Sequence, residues 1–233
     1  MAPFCPIRLA PDGWSVQVID QRRLPHRLEW IALRSLEDAA LAIETMSIRG
    51  APLIGVVAAF GCCLALHEGD GDVEHAVQRL QQTRPTAVNL FFALKRMHLA
   101  TAGVAPQFRC AAAYQAAHRL LDDEVAANQT IGRLGADILF GHLPTGASTL
   151  HISTHCNAGA LATPGWGTAL APVYVLHERG VPLHVWVDET RPRMQGARLT
   201  MWELMQAGIP CTLVPDGAAG ILMQRRRVHA CIV

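Results

Sequence analysis

The chain has 233 residues, a formal net charge of +1 and 51% hydrophobic residues. This length fits one large domain or two small ones with a substantial core. The basic residues are scattered along the sequence, which argues against a nucleic-acid interface or an anionic-membrane surface. The seven cysteines are odd in number and form no Cys-x-x-Cys pair, so we predict no disulfide framework and a reducing, cytoplasmic location. The start of the chain lacks a continuous apolar stretch, so we expect no signal peptide.

The first part of the chain predicts a small β-rich start followed by helices. Residues 7–35 contain two segments in which apolar and polar residues alternate, as in half-buried strands. Ser35 is an N-cap candidate for a helix that ends near Met46, and Pro52 marks the first turn of a second, very apolar helix. Because a proline, two glycines and two cysteines interrupt Gly50–His67, we predict a buried helix there and no membrane span.

Three further helical regions are predicted before the character of the sequence changes. They cover residues 73–82, 85–100 and 106–139. The last region fits one or two helices, and we expect Gly132, Gly135 and Gly141 to break its pattern near the end.

The second part of the chain alternates strands and helices. Strands are predicted at 149–153, 183–187, 211–214 and 229–233, with helices at 166–179, 196–207 and 218–226. This alternation predicts βαβ units and a parallel sheet. We therefore predict an α/β protein with a mostly helical N-terminal domain, residues 1–143, that begins with a small β structure. An incomplete Rossmann-like parallel-sheet domain, residues 144–233, follows it.

Two helix starts in the first domain carry the features of an anion site. Arg49-Gly50-Ala51-Pro52 places a guanidinium and a flexible glycine before a helix, where free N–H groups and the helix dipole favour anions. Arg84-Pro85 repeats this arrangement at the start of the helix predicted over residues 85–100, and Asn89 follows one turn later. An arginine can also simply cap an apolar helix, but two such starts in one domain favour phosphate binding.

Cys156 is the main chemical candidate in the second domain. It follows the first predicted strand, in an uncharged loop of small and polar residues, which is where an open α/β sheet builds a ligand site. A free cysteine is also common as a small buried hydrophobe, and the residues alone leave both interpretations open. His151 and His155 lie on one strand face, but about 13 Å apart by strand rise, so they cannot share one zinc ion and we predict no metal site.

A polar segment follows the second predicted strand. Residues 188–195 contain two acidic residues, two arginines and Gln195, at the end of a strand where ligand contacts are expected. Gln195 could hydrogen-bond hydroxyls or phosphate, whereas we expect most of the charged residues to form structural ion pairs. Asp216 follows the third strand, where it could contact sugar hydroxyls or cap the next helix.

These motifs together carry a resemblance to a known family. Four segments resemble methylthioribose-1-phosphate isomerase, a sugar isomerase of methionine salvage that is related to the regulatory subunits of translation initiation factor 2B. They are Met46-Ser-Ile-Arg-Gly-Ala-Pro, Arg84-Pro-Thr-Ala-Val-Asn-Leu, Thr154-His-Cys-Asn-Ala-Gly-Ala-Leu-Ala-Thr and Asp188-Glu-Thr-Arg-Pro-Arg-Met-Gln-Gly-Ala-Arg-Leu-Thr. The resemblance runs in order from about Arg8 to Val233. It implies a helical N-terminal domain followed by a Rossmann-like domain.

The resemblance also implies an activity and a set of site residues. The family converts 5-methylthioribose 1-phosphate to 5-methylthioribulose 1-phosphate as a homodimer and without a cofactor. The implied catalytic residue is Cys156, and the implied substrate contacts are Arg49, Gly50, Ala51, Arg84 and Gln195. In the family, a segment with the catalytic aspartate and an Asn-Lys pair follows the strand equivalent to 229–233. We therefore expect a chain that stops at Val233 to lack these groups, and to show poor solubility and near-background activity.

Two alternatives stay open at this stage. A related isomerase of ribose 1,5-bisphosphate would need cations where a methylthio group needs an apolar pocket. A non-catalytic regulatory subunit of the initiation factor 2B type would bind a sugar phosphate or a protein partner. The His-Cys-Asn-Ala-Gly segment argues against the second alternative, because such subunits generally lack it.

Overall fold

The computed structural model describes residues 4–69, 73–141, 143 and 148–233. The chain begins with an antiparallel sheet of three short strands: β1 (Ile7–Leu9), β2 (Val16–Ile19) and β3 (Trp30–Leu33). The predicted β-rich start is thereby confirmed. Within the described residues, no helix combines the length and the apolar character that crossing a membrane requires.

Four helices follow and form the core of the first part with the sheet. They are α1 (Leu36–Glu44), α2 (Ala51–His67), α3 (Val73–Gln81) and α4 (Val88–Thr101). Ser35 is the N-cap of α1, and its hydroxyl accepts a hydrogen bond from the Asp38 N–H while the Asp38 carboxylate accepts one in return. Helix α2 is buried over nearly its whole length, from Leu53 to Ala65, as its sequence predicts.

The next helix is a single element, α5 (Pro106–Gly141), and the predicted break at its glycines is wrong. A Cβ at Gly135 would lie 2.4 Å from the Pro172 side chain, and one at Gly132 would lie 3.1 Å from that of Val175. The two glycines therefore let the following helix pack against the α5 backbone. Their missing side chains serve packing, and the resulting contacts outweigh the entropic cost of glycine in a helix.

The second part of the chain contains a four-stranded parallel sheet. Its strands are β4 (Leu150–Thr154), β5 (Leu183–Asp188), β6 (Cys211–Val214) and β7 (Ala230–Cys231), in the order β6-β5-β4-β7. Helices α6 (Ala171–Glu178), α7 (Met201–Gln206) and α8 (Ala218–Gln224) connect them. This confirms the predicted α/β class with a Rossmann-like sheet. Because β4 has the next strand on one side and the last strand on the other, the strand order reverses at β4, and ligands of such sheets bind at this point.

The connections differ from the sequence prediction at two positions. Helix α6 begins at Ala171 and not near Trp166, because Gly165, Trp166 and Gly167 all have positive φ angles and form a loop. The region predicted as one helix from Gly196 begins with a π-helical turn, Gly196–Thr200, and continues as α7. Such turns often occur at functional sites.

The chain divides into two compact units, and the division lies earlier than residues 143 and 144. Pro6–Arg23 and Arg27–Val125 form the helical unit, and Ala126–Val233 with Leu24–His26 belongs to the sheet unit. The division falls inside α5 because the C-terminal part of this helix, including Ala136 and Leu139, belongs to the hydrophobic core of the parallel sheet. Part of the predicted boundary, residues 142 and 144–147, lies outside the described residues.

Candidate active site

The start of α2 has the backbone geometry that the predicted anion site requires. Gly50 is its N-cap, with φ of 99° and ψ of 132°, a conformation that side-chain-bearing residues rarely adopt. No side chain caps this helix start. Ala51 is exposed, and Arg49 and Gly50 are half-buried, so the N–H groups of the first turn lie near the surface. This end of α2 can therefore offer backbone donors to an anion.

The start of α4 differs in detail from the predicted one. The helix begins at Val88, and residues 84–87 form a turn in which the Ala87 N–H donates to the Arg84 carbonyl at 3.0 Å. Pro85 therefore lies before the helix and not in its first turn. Arg84 is half-buried, and the N-cap, Ala87, has no side chain that can cap the helix.

The N-terminal part of α2 packs directly against the first turn of α4. A Cβ at Gly55, in the second turn of α2, would lie 2.8 Å from the backbone oxygen of Asn89, in the first turn of α4. The two helix starts are thus neighbours within the helical unit, and Arg49 and Arg84 each precede one of them by a few residues. This packing supports a shared anion site, while convergence of the two guanidinium groups stays a prediction.

In the sheet unit, Cys156 lies where the sequence predicts it, two residues beyond the carboxyl end of β4. Its φ angle is 61°, in the left-handed region that non-glycine residues seldom occupy. The Cys156 N–H donates to the Thr190 hydroxyl at 2.8 Å, and its carbonyl accepts a hydrogen bond from the Thr200 hydroxyl at 2.6 Å. Two threonines from the neighbouring connection therefore fix the backbone that carries the thiol.

A buried carboxylate organises the loop that follows. Glu203 of α7 is 1% exposed and accepts hydrogen bonds from Asn157 Nδ2 at 2.7 Å and from the Leu161 N–H at 3.1 Å. The Asn157 amide also donates to the Thr200 hydroxyl at 3.1 Å. A Cβ at Gly159 would lie 1.8 Å from Glu203 Oε1, so any larger residue there would displace this carboxylate. The loop is therefore built around one acid from a helix that is remote in sequence.

Three polar residues meet at the carboxyl ends of β4, β5 and β6. His155 Nδ1 lies 3.0 Å from Asp188 Oδ2, and Asp216 accepts the N–H groups of Thr190 at 2.7 Å and Arg191 at 2.8 Å. These backbone hydrogen bonds, the Arg191 one foremost, lower the pKa of Asp216. Asp216 thus stabilises the turn that contacts Cys156, whereas the sequence suggested a sugar contact or a helix cap.

The same three side chains are the candidates for holding a cation. His155, Asp188 and Asp216 can offer ligand atoms that all lie within 4.8 Å of one another. However, the hydrogen bonds just described already occupy His155 Nδ1, one oxygen of Asp188 and both oxygens of Asp216. These hydrogen bonds explain why the three side chains meet here.

Gln195 lies at the start of the π-helical turn. Its side chain is half-buried, and the turn after it packs so closely on β5 that a Cβ at Gly196 would lie 1.7 Å from the Asp188 carbonyl oxygen. Gln195 and Cys156 both belong to the sheet unit, while Arg49, Gly50, Ala51 and Arg84 belong to the helical unit. The predicted ligand residues thus form one group in each unit.

Sequence reasoning missed several residues that shape the site. Thr190 and Thr200 lie within the segment that begins at Asp188, but their contacts with Cys156 depend on the tertiary structure. Glu203 lies in no motif. The pairing of His155 with Asp188 follows from the β4–β5 register, which pairs Thr154 with Val187 and so brings the next residues together. We predicted that most of the charged residues in 188–195 form structural ion pairs, and Asp188 lies 3.0 Å from the basic side chain of His155.

Comparison with known proteins identifies the family. The sequence pattern of the initiation factor 2 subunit family matches residues 47–233, which is most of the chain. The chain belongs to this family. Methylthioribose-1-phosphate isomerases of Dechloromonas aromatica (strain RCB) and Paramagnetospirillum magneticum (strain ATCC 700264 / AMB-1) are each 50% identical to it over 233 residues. The alignments cover 99% of this chain and 64% of each relative, so the family member described here spans about two thirds of their length.

Solved structures of family members have the same fold. The 5-methylthioribose 1-phosphate isomerase of Pyrococcus horikoshii OT3 superposes with a TM-score of 0.86 at 36% identity, covering 97% of this chain and 64% of that one. Translation initiation factor eIF-2B, subunit delta, of A. fulgidus superposes with a TM-score of 0.83, also at 36% identity, covering 98% and 67%. Structural similarity alone therefore does not separate the enzyme from the translation factor.

Proposed function

We propose that this chain is an aldose–ketose isomerase that converts 5-methylthioribose 1-phosphate to 5-methylthioribulose 1-phosphate. The observation that carries the proposal is Cys156, a thiol held in a left-handed backbone at the carboxyl end of β4 by Thr190 and Thr200. This is the switch point of the sheet, where a ligand is expected. The 50% identity to named isomerases supports the substrate.

The reaction assigns roles to the residues. In the substrate the anomeric oxygen carries the phosphate, so the ring must open at the C1–O4 bond before hydrogen can move from C2 to C1. We propose that Arg49 and Arg84 bind the phosphate with the N–H groups at Gly50 and Ala51, as guanidinium forks and helix starts do. Gln195 hydrogen-bonds the sugar. Cys156 takes part in proton transfer or stabilises the transition state, and no step requires a cofactor.

The same proposal includes an assembly state and a location. We propose a homodimer in the cytoplasm that binds neither nucleic acid nor membrane. The dimer is supported by an exposed apolar stripe on α5, formed by Ile131, Leu134 and Ile138, which are 42%, 61% and 65% exposed and lie at helical spacing. Light scattering should give twice the monomer mass. A monomer at all concentrations would contradict the dimer without affecting the proposed reaction.

The test is a single-turnover conversion assay with the protein in excess over substrate, so that slow conversion is also detected. Nuclear magnetic resonance should show the ketose product from 5-methylthioribose 1-phosphate and none from ribose 1,5-bisphosphate. Product from the bisphosphate would favour the alternative isomerase. Binding of either sugar phosphate without any conversion would favour a regulatory subunit, which is the assignment that the similarity to the initiation factor subunit also allows.

A further inference from the structure

A histidine–carboxylate pair lies directly beside the proposed catalytic cysteine. His155 precedes Cys156 in the chain, and Asp188 is the last residue of β5. Their Nδ1 and Oδ2 atoms are 3.0 Å apart, and the Asp188 side chain is 10% exposed while that of His155 is 46% exposed. The carboxylate is therefore buried behind the ring, and the ring reaches the surface at the carboxyl end of the sheet.

This arrangement determines which ring nitrogen carries the proton. A carboxylate can only accept, so the 3.0 Å contact requires a hydrogen on His155 Nδ1. In a neutral imidazole the other nitrogen, Nε2, then has a free lone pair and can accept a proton. The ring is thus held in the tautomer that a general base needs, with its basic nitrogen on the side away from Asp188.

The surroundings of Asp188 also suit a positive charge on the ring at the moment when the base acts. The second oxygen of Asp188, Oδ1, is buried and finds no hydrogen-bond donor among the described residues. A buried carboxylate with an unpaired oxygen is poorly stabilised, and a positive charge on the adjacent ring would stabilise it. Proton transfer to Nε2 would create that charge 3.0 Å from Oδ2. A purely structural hydrogen bond would not need the ring to be exposed.

The proposed isomerisation needs such a base whatever its detailed route. Opening the ring gives O4 one proton, and forming the ketone removes one proton from O2. Hydrogen moves from C2 to C1 either directly or through an enol, but the O2–H bond must break in both cases. Its electron pair becomes part of the C2=O bond, and the proton goes to an acceptor. Solvent supplies the proton to O4 and finally receives the proton taken from O2, so the proton count is unchanged.

We propose that His155 Nε2 accepts the proton from the C2 hydroxyl. Asp188 is then the positioning residue, which orients the ring and stabilises the positive charge that the ring gains. This inference rests on the proposed function and adds a base to it. His155→Gln and Asp188→Asn should each lower the single-turnover rate by about 10²–10⁴ while changing substrate affinity less than about threefold. The asparagine amide would donate a hydrogen bond to Nδ1, so the proton of the neutral ring would lie on Nε2. Nε2 could then no longer accept the proton from the C2 hydroxyl.

The matched control is His184→Gln. His184 is also half-buried on β5, but its Nε2 lies 3.0 Å from the Thr212 hydroxyl, and it belongs to neither proposed site. This variant should convert substrate like the original protein. In addition, His155→Ala should regain activity when imidazole is added, because free imidazole can replace a base but not a structural contact.

Three results would decide against parts of the account. Near-normal rates for His155→Gln and Asp188→Asn, with an active original protein, would overturn the base and leave the proposed function standing. A nitrogen-15 spectrum showing the proton of the neutral His155 ring on Nε2 in the original protein would also overturn the base, independently of activity. No conversion by the original protein and by His184→Gln would overturn the proposed function itself, and the base with it.

Discussion

Replacing Gly159 with alanine tests how strongly the Cys156 loop depends on its buried carboxylate. The φ angle of Gly159 is −112°, which alanine adopts freely, so backbone strain does not contribute. The new Cβ would lie 1.8 Å from Glu203 Oε1 and 2.5 Å from its Cδ, and Glu203 must move. It then loses its hydrogen bonds from Asn157 and Leu161. Hydrogen bonds to charged groups contribute about 1.5–3 kcal/mol each, so we expect a loss of about 3–6 kcal/mol.

Urea denaturation followed by circular dichroism measures this loss. Domains are typically stable by only about 5–15 kcal/mol, so Gly159→Ala should unfold at a much lower urea concentration. The control is Gly220→Ala in α8, where a Cβ would meet no atom within 4 Å. A loss below about 1 kcal/mol for Gly159→Ala would refute the reasoning.

A double variant adds a sharper test. Glu203→Ala removes the carboxylate that the new Cβ would overlap. It also removes the two hydrogen bonds that this carboxylate accepts from Asn157 and Leu161. Gly159→Ala should therefore destabilise the Glu203→Ala protein far less than it destabilises the original, so the coupling should approach the full loss of about 3–6 kcal/mol. Strict additivity would show that the clash with the carboxylate is not the cause.

Three further predictions concern other parts of the chain. Gly135→Ala in α5 should destabilise by about 1–3 kcal/mol in urea denaturation, because its Cβ would lie 2.4 Å from Pro172, although alanine normally favours helices. Burial, together with repulsion from neighbouring cations, lowers the pKa of His151 in the folded protein. As the pH drops below about 6.5, the unfolded chain binds a proton at this residue before the folded protein does, so the free energy of unfolding should fall. His151→Gln should reduce this decrease in the free energy of unfolding. Arg84→Ala should weaken binding of the sugar phosphate about 10- to 100-fold by calorimetry, since one charged hydrogen-bonding group is lost.

Each of these has a matched comparison. Gly141→Ala, with no atom within 4 Å of its Cβ, should leave stability almost unchanged, and an equal loss at both glycines would contradict the packing argument. If the His151→Gln protein loses stability with falling pH as strongly as the original protein does, a residue other than His151 causes the loss. For Arg84, the control is Arg96→Ala, an exposed α4 residue that pairs with Asp123 at 2.8 Å. Equal weakening by the two arginine variants would contradict a specific anion site.

The sequence predicted those features that depend on local pattern. Strands β4, β5 and β6 agree with the prediction within one residue at either end, because apolar, β-branched runs between turn residues are a local signal. The position of Cys156 followed directly, since it depends only on where β4 ends. The anion site rests on the same kind of local information, namely an arginine and a glycine before a helix, and it stays a prediction.

The features that the sequence did not reveal depend on contacts between distant residues. Gly132 and Gly135 looked like helix breakers, and only the packing of α6 on α5 shows why glycine is needed there. The partner of Asp188 depends on the β4–β5 register, which local sequence pattern does not give. Glu203 lies 46 residues after Asn157, and no spacing rule connects a helix acid to a loop amide at that distance.

The central claim is that the Cys156 site performs sugar-phosphate isomerisation, and one measurement tests it most directly. 5-Methylthioribose 1-phosphate is incubated with an excess of either the original protein or Cys156→Ala, and formation of the ketose is followed by nuclear magnetic resonance. The account predicts conversion by the original protein and a rate at least about 10² lower for Cys156→Ala, with substrate affinity largely retained. Equal rates for the two proteins, or no ketose from the original protein, would contradict it.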